Sequence, residues 1–469
     1  MDSEETYVTK EAAEFVFKLQ HEHLPSEALR IAKRCILDGL GVILAGSFQK
    51  CTEIIRNHCR SMSQVREATI LGKDSTKVPA PLAALANGTA GHAMDWDDTQ
   101  VSIDPDRVYG LLTHPTIPPL AACLAVSEKL GQVSGKMFLT AFLAGFEVEC
   151  KLAEAISPDH YKKGFHTSGT IGTFGAAMAA AKLLKLDEAR LRHAIGLAAS
   201  MGAGIRANFG TMTKPFHVGQ ASRNGVTAAV LAKDGFEANM DALDGPWGFL
   251  QVLGGGFDRN KISGCFGKPH TIIDPGVSIK PYPSGVLTHP SMDAMLDIVV
   301  ENDLKPDDIE SVVLYAGTNI LKPIRYHVAR NELEAKFCMP FLLCAIALSR
   351  KAGVREFTHE FVNSPQAQAL TRRIRTEFDP RIEAQGWDKI RSRVEVTLKD
   401  GRKLIQKSDE QYRGGPDHPL SDEELQSKFT DCTEQLLHQE ARETIFETIA
   451  ALEHLDSVEK LIALTEASV

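Results

Sequence analysis

The sequence predicts a mainly α protein: a large helical domain formed by both chain ends, with a smaller α/β domain inserted between them. Three observations carry that expectation. Apolar residues recur at helical spacing up to about residue 260, in segments rich in Ala and Gly. The texture then changes to strand-like runs such as "IESVVLYAG" and "SRVEVTLKDGRKLIQ". Helical spacing returns at "GGPDHPLSDEELQSKFTDCTEQLL". The predicted division is 1–270 plus 411–469 for the helical domain and 271–410 for the α/β domain. A chain of 469 residues is also too long for one ordinary core.

In chain order, "SEALRIAKRCILDGLGVILAG" reads as a helix capped by Ser26 and ending at Gly46. "IPPLAACLAVSEKLG", "GKMFLTAFLAGFEVECKLAEAI", "GTIGTFGAAMAAAKLLKL" and "EARLRHAIGLAASMGAGI" predict further helices, whose small residues let axes approach closely. No segment of this half shows convincing strand alternation. In the inserted part "IESVVLYAG" predicts a strand, and "SRVEVTLKDGRKLIQ" a hairpin turning at Asp400-Gly401. "HPSMDAMLDIVVEN" and "LEAKFCMPFLLCAIALSRKAG" predict helices, and Ser421 with Glu424 forms a capping box opening the last helical region.

Composition narrows the function. Hydrophobic content of 43% and charged content of 24% are those of a soluble globular protein. A formal charge of -9 disfavours nucleic-acid binding, though a local basic pocket remains compatible with an anionic substrate. Nine scattered cysteines with no C-x-x-C pair predict reduced, buried thiols in a cytoplasmic protein. The acidic, helix-like N-terminus is unlike a targeting peptide, and the run "CILDGLGVILAG" is too short to span a bilayer. No dinucleotide fingerprint, P-loop, H-E-x-x-H or zinc spacing occurs, so no metal or other cofactor is expected. The glycines of "GTIGTFG" introduce a helix of alanines and are read as helix packing.

The chemistry-bearing stretch is "GHAMDWDDTQ", with Asp95, Asp97 and Asp98 ahead of Thr99. Three uses fit: oxygen ligands for Mg²⁺, a helix cap, or a proton-handling site in which neighbouring carboxylates shift one another's pKa. His114 stands before Pro115 at a loop-to-helix junction, and His166 precedes Thr167 and Ser168 at a helix start. "GTMTKPFHVGQASRNG" offers Lys214 and His217, with Arg206 upstream. "SIKPYPSGVLTHPSMDAM" offers Lys280, Tyr282, Ser284 and His289 in a Pro-stiffened loop. Several cations and hydroxyls on short rigid loops suit a small polycarboxylate. Two other classes stay open: an Asp-rich Mg-dependent helical enzyme, and a non-catalytic carboxylate-binding protein.

"NGTAGHAMDWDDT", the "THP" before a helix, "GFHTSGTIGTFGAAMAAAKLLKL", "GTMTKPFHVGQASRNG", "KPYPSGVLTHP" and "LEAKFCMPF", in this order, resemble the MmgE/PrpD family. Its members include 2-methylcitrate dehydratase, cis-aconitate decarboxylase and iminodisuccinate epimerase. The resemblance implies a lid role for the α/β domain, a homodimer, no cofactor, and lyase or isomerase chemistry by proton transfer next to a carboxylate. It also implies that Asp95, Thr99, His114 and His166 are catalytic, with Lys214 and Lys280 on the substrate carboxylates. Arg206, Tyr282, Ser284 and His289 are added as substrate-binding candidates. In these expected roles His114 and His166 are acid and base, Asp95 orients a histidine and Thr99 donates a hydrogen bond. Ser284-Gly285 stands where decarboxylase-like members carry Ala-His, which is closer to the subgroup with the epimerase. The stretch between Thr99 and His114 is longer than in the decarboxylase and is expected to reshape the pocket entrance.

Overall fold

The computed structural model describes residues 7–101 and 111–466, so most of the stretch between Thr99 and His114 lies outside the described residues. Helix accounts for 56% of the chain and strand for 9%, which makes the protein mainly α. The chain forms two compact units. One contains Met1–Gln100, Leu112–Val277 and Leu425–Val469; the other contains Val101–Leu111 and Ser278–Glu424.

The first unit is helical. It holds α1 (Val8–Lys18), α2 (Ser26–Gly46), α3 (Lys50–Met62), α4 (Ala80–Ala93), α5 (Ile117–Leu130) and α6 (Gly135–Ile156). The one-turn helices α7 (Asp159–Lys162) and α8 (Thr167–Thr170) lead into α9 (Gly172–Leu183), α10 (Glu188–Met201), α11 (Thr213–Lys233) and the short α12 (Phe249–Val252). Helix α2 ends at Gly46 as expected, but Ser26 does not cap it. Pro25 occupies the cap position in extended conformation and Ser26 is already the first helical residue. A hairpin of β1 (Ala68–Ile70) and β2 (Thr76–Val78) also stands where no strand is expected; three-residue strands are too short to display alternation.

Helix α4, "APLAALANGTAGHA", is apolar or small on every side, and all but two of its residues are buried. Glycine sets its distances to neighbours. A Cβ on Gly46 of α2 would stand 1.9 Å from the Ala90 carbonyl oxygen, and one on Gly219 of α11 2.1 Å from Thr89 Oγ1 and 2.4 Å from the Leu85 oxygen. The α4–α11 crossing is thus almost backbone to backbone, and it fixes the geometry of the two helix ends that carry the site. The helix Asp422–Thr433 supplies Lys428, which pairs with the buried Asp38 of α2 at 2.5 Å and donates to the Trp96 carbonyl at 2.8 Å.

The second unit is built on a four-stranded sheet of order β6-β5-β7-β8, with β5 Ile309–Ala316, β6 Ile374–Phe378, β7 Ser392–Leu398 and β8 Lys403–Lys407. Strand β5 pairs parallel with β6 and antiparallel with β7, and Val312 faces Val396. The β7–β8 hairpin turns at Asp400-Gly401, where Gly401 has φ of +87°. Alternate residues of β7 are buried, and α13 (His289–Glu301) packs against β7 and against the apolar helix Met339–Ser349. Ser421 and Glu424 form the reciprocal cap: each backbone N–H donates to the other's side chain, at 2.8 and 3.1 Å.

Candidate active site

Four segments of the first unit converge. Helix α4 ends with His92 in its last turn, Met94 follows as the cap, and Asp95 takes the left-handed conformation at φ +53°. Gly usually holds that position, because a Cβ is strained there; Asp is among the few residues that tolerate it. The reversal buries Asp95, Asp97, Asp98 and Thr99 together.

The three aspartates have separate partners. Asp95 accepts from Lys214 Nζ at 2.9 Å, both side chains being over nine-tenths buried. Asp97 lies on His92 Nδ1 with both oxygens, at 2.9 and 2.8 Å, and stands 3.6 Å from His114 Nδ1. Asp98 accepts from the Thr116 backbone N–H at 3.2 Å and from its hydroxyl at 2.6 Å, at the start of α5. Burial pushes the Asp98 carboxyl up to about 8, against the pull of the Thr116 hydroxyl.

His114 Nδ1 lies 2.7 Å from the Asp98 carbonyl oxygen and 3.0 Å from Thr99 Oγ1. A carbonyl only accepts, so Nδ1 carries the proton and neutral His114 presents an Nε2 lone pair. The carboxylate on His92 Nδ1 fixes the same tautomer there. His166 precedes α8 in extended conformation, and its Nδ1 lies 3.1 Å from His217 Nδ1. The His92 and His114 rings meet edge-on at 4.8 Å, and His92 and His166 lie 5.5 Å apart. Burial lowers the His92 pKa, with Asp97 opposing. Burial drives His166 well below the usual histidine range, reinforced by His92, Lys214, His217 and His114. His217 falls to about 4, again chiefly by burial. Burial thus favours the neutral form of His92, His166 and His217, beside the buried Lys214–Asp95 pair.

Asp95, Thr99, His114, His166 and Lys214 thus share one buried locality. Arg206 is engaged beside it: its guanidinium stacks on Tyr161 at 3.8 Å and donates to the Tyr161 carbonyl at 3.0 Å. Lys280, Tyr282, Ser284 and His289 belong to the second unit, and all are buried. There the Tyr282 hydroxyl donates to Asp293 and accepts from Arg413, both at 2.7 Å. Ser284 Oγ lies 2.8 Å from Thr288 Oγ1, and His289 Nε2 lies 3.3 Å from the Ser284 carbonyl.

Sequence reasoning gave His92 no role, offered His217 beside Lys214 without assigning it one, and expected Asp95 to orient a histidine or tune its charge. Asp97 is the carboxylate hydrogen-bonded to His92, while Asp95 acts on the same ring by its charge, drawing its pKa up against burial. The signals were present: His92 lies five residues before Asp97, and His217 lies one helical turn after Lys214, on the same face of α11. Among the described residues two sets of groups could take a metal ion, His92 with His114 and His166, and His92 with Asp95 and Asp97; within each, one atom per residue lies within 4.8 Å of the others.

The MmgE/PrpD N-terminal domain profile matches residues 10–261, and the C-terminal domain profile matches residues 282–454. The chain belongs to the MmgE/PrpD enzyme family. Among MmgE/PrpD relatives, cis-aconitate decarboxylase of Mus musculus is 30% identical over 468 residues, covering 98% of this chain and 92% of the relative. The Homo sapiens protein of the same name is 29% identical, covering 97% and 94%. Cis-aconitate decarboxylase of Aspergillus terreus is 22% identical over 486 residues, covering 98% and 96%. No helix among the described residues of this MmgE/PrpD chain is long and apolar enough to cross a membrane.

Proposed function

We propose that this chain is a cofactor-independent lyase or isomerase that moves a proton at a carbon next to a carboxylate of a small di- or tricarboxylate. Decarboxylation of cis-aconitate is the first reaction to test. One observation carries the proposal: His92, His114 and His166 crowd together, buried, with Asp97 fixing a tautomer and the Lys214–Asp95 pair beside them. Neutral imidazoles with Nε2 lone pairs are bases. An anionic substrate brings the charge that raises their pKa and lets them return the proton as acids.

In this mechanism Lys214 binds a substrate carboxylate by a charge-assisted hydrogen bond, with Asp95 holding the ammonium. His114 and His166 are the acid–base pair, Asp97 sets the charge and tautomer of His92, and Thr99 is a second hydrogen-bond partner for His114 Nδ1. Breaking a C–CO₂ bond leaves an electron pair delocalised toward the neighbouring carboxylate, and an imidazolium delivers one proton to carbon. Proton removal and return by two different imidazoles gives epimerisation instead. For Lys280 as a second carboxylate ligand the support is the family pattern; Tyr282, Ser284 and His289 serve by fixing the loop that follows it. A cytoplasmic homodimer completes the proposal, and light scattering of the purified protein tests the dimer.

Proton NMR in D₂O with cis-aconitate, 2-methylcitrate and iminodisuccinate separates the reactions through CO₂ loss, water loss or deuterium incorporation. None of the three at stoichiometric enzyme would sink the proposal. A metal-dependent reading is favoured by the clustered imidazoles alone, a donor set that suits Zn²⁺ better than Mg²⁺. Activity lost on EDTA dialysis and restored by Zn²⁺ would establish it in place of the metal-free mechanism.

A further inference from the structure

Glu149, in the middle of α6, is fully buried and no role has been given to it above. Its Oε1 accepts from the Thr113 hydroxyl at 2.6 Å. Thr113 Oγ1 lies 3.4 Å from Ser168 Oγ, and Ser168 Oγ accepts the backbone N–H of His114 at 3.0 Å. Donors and acceptors run one way along this chain: His114 N–H to Ser168, Ser168 O–H to Thr113, Thr113 O–H to Glu149. Ser168 stands in α8, two residues after His166, so the same chain ties both histidine segments together. The other oxygen, Oε2, has no hydrogen-bond partner among the described residues. Gly175 of the "GTIGTFG" stretch gives that oxygen its space, since a Cβ there would lie 2.4 Å from it.

We propose that Glu149 is a positioning residue for His114, acting through Thr113 and Ser168. The proposal rests on His114 being an acid or base of the reaction. Two anchors then define His114. Asp98 and Thr99 hold the ring through Nδ1, and the Glu149 chain holds the backbone N–H. Among the described residues no hydrogen bond brings a cation to the Glu149 carboxyl, and burial raises its pKa well above the carboxylate range, with Thr113 opposing and Asp98 adding. A glutamine keeps the oxygen that accepts from Thr113, so Glu149→Gln is the conservative variant. The charged and titratable groups around His114 include Asp97, Asp98, His92 and His166. The Glu149 chain reaches His114 through its backbone N–H rather than its ring, so its effect on His114 is one of position.

The test compares full-length Thr113→Val, Ser168→Ala, Glu149→Leu and Glu149→Gln. Two measurements are made: cis-aconitate turnover, and the ring nitrogen resonances of His114 in ¹⁵N-histidine-labelled protein. Thr113→Val, Ser168→Ala and Glu149→Leu are expected to lower kcat about 10–100-fold with KM within about threefold, because misplacing a reacting group costs rate rather than binding. The same variants shift the His114 Nδ1 resonance. Glu149→Gln is expected to keep kcat within about fivefold of wild type and the resonance in place. Should Glu149→Leu fail to fold, the near-isosteric Thr113→Val carries the test. Unchanged kcat and unchanged His114 resonances in Thr113→Val and Ser168→Ala overturn the proposal, as does a loss confined to KM. If the wild type does not turn over cis-aconitate, that substrate assignment fails, and the resonances alone decide the positioning role.

Discussion

Breaking the Asp95–Lys214 pair separates a functional ion pair from a merely structural one. The groups stand 2.9 Å apart and are almost wholly buried. At an effective dielectric of about 20, two unit charges at that spacing attract by about 6 kcal/mol. Most of this attraction offsets the cost of taking both charges out of water, so the net value of the pair is small. Removing one partner is different, because it strands the other charge in the interior at a cost of about 3–5 kcal/mol. Lys214→Met and Asp95→Asn are therefore each expected to destabilise strongly. Lys214→Met/Asp95→Asn together should cost less than the sum of the singles, with a coupling of roughly 2–3 kcal/mol. Urea unfolding of the four proteins at pH 7, followed by tryptophan fluorescence and circular dichroism, measures the cycle. The double variant should recover stability but not turnover, since the carboxylate-binding ammonium is gone. Additive losses, or singles within about 0.5 kcal/mol of wild type, would refute the buried pair. A double variant that keeps wild-type KM and kcat would remove Lys214 from substrate binding.

Asp97→Asn keeps the shape around His92 but removes the charge that fixes its tautomer and faces His114; kcat is expected to fall about 100-fold or more in steady-state assays, with little change in Tm. Stability should peak near neutral pH. His160 and His217 titrate near 4 when folded against an ordinary 6.5, so stability is present above about 6.5 and is lost as pH falls toward 4. His160, whose two ring nitrogens are engaged at 2.8 Å, contributes roughly 2–4 kcal/mol of that loss. Asp98 has the opposite sign: its folded pKa of about 8 exceeds the ordinary 3.8, so stability declines as pH rises between them. Above about 6.5, where the histidine terms are exhausted, this decline and the like-signed one of buried Glu149 remain, and Asp98→Asn should make that limb of Tm against pH less steep. Gly219→Ala drives a methyl into Thr89 and the Leu85 carbonyl, costing about 1–3 kcal/mol or more in thermal melts. It should also lower turnover, because the displaced helices carry His92 and Lys214.

The sequence disclosed periodic elements far better than contacts. Helix α2, strand β5, the hairpin at Asp400-Gly401 and the Ser421–Glu424 cap were legible because local patterning or turn chemistry specifies each one. The β1–β2 hairpin was not, since its strands are too short for a period to appear. Asp95 and Lys214 were singled out 119 positions apart, but their pairing depends on how α4 crosses α11. His92 was hidden for another reason: within "GTAGHAMDWDD" it reads as one polar residue ending a helix of small ones, and only the reversal at Asp95 folds Asp97 back onto it.

That reversal has a consequence for anyone engineering this protein. The left-handed position after α4 does two jobs with one side chain, stopping a helix and holding an ammonium. Judged as a helix stop, the position calls for glycine, and Asp95→Gly is the substitution a thermostability campaign would choose from backbone geometry alone. It would relieve the local conformational strain and leave Lys214 buried without its carboxylate. The strain relieved is worth about 1–2 kcal/mol, less than the cost of stranding the ammonium. A library scored on melting temperature would therefore reject the glycine that backbone geometry alone recommends, and heat resistance and turnover favour the same residue here.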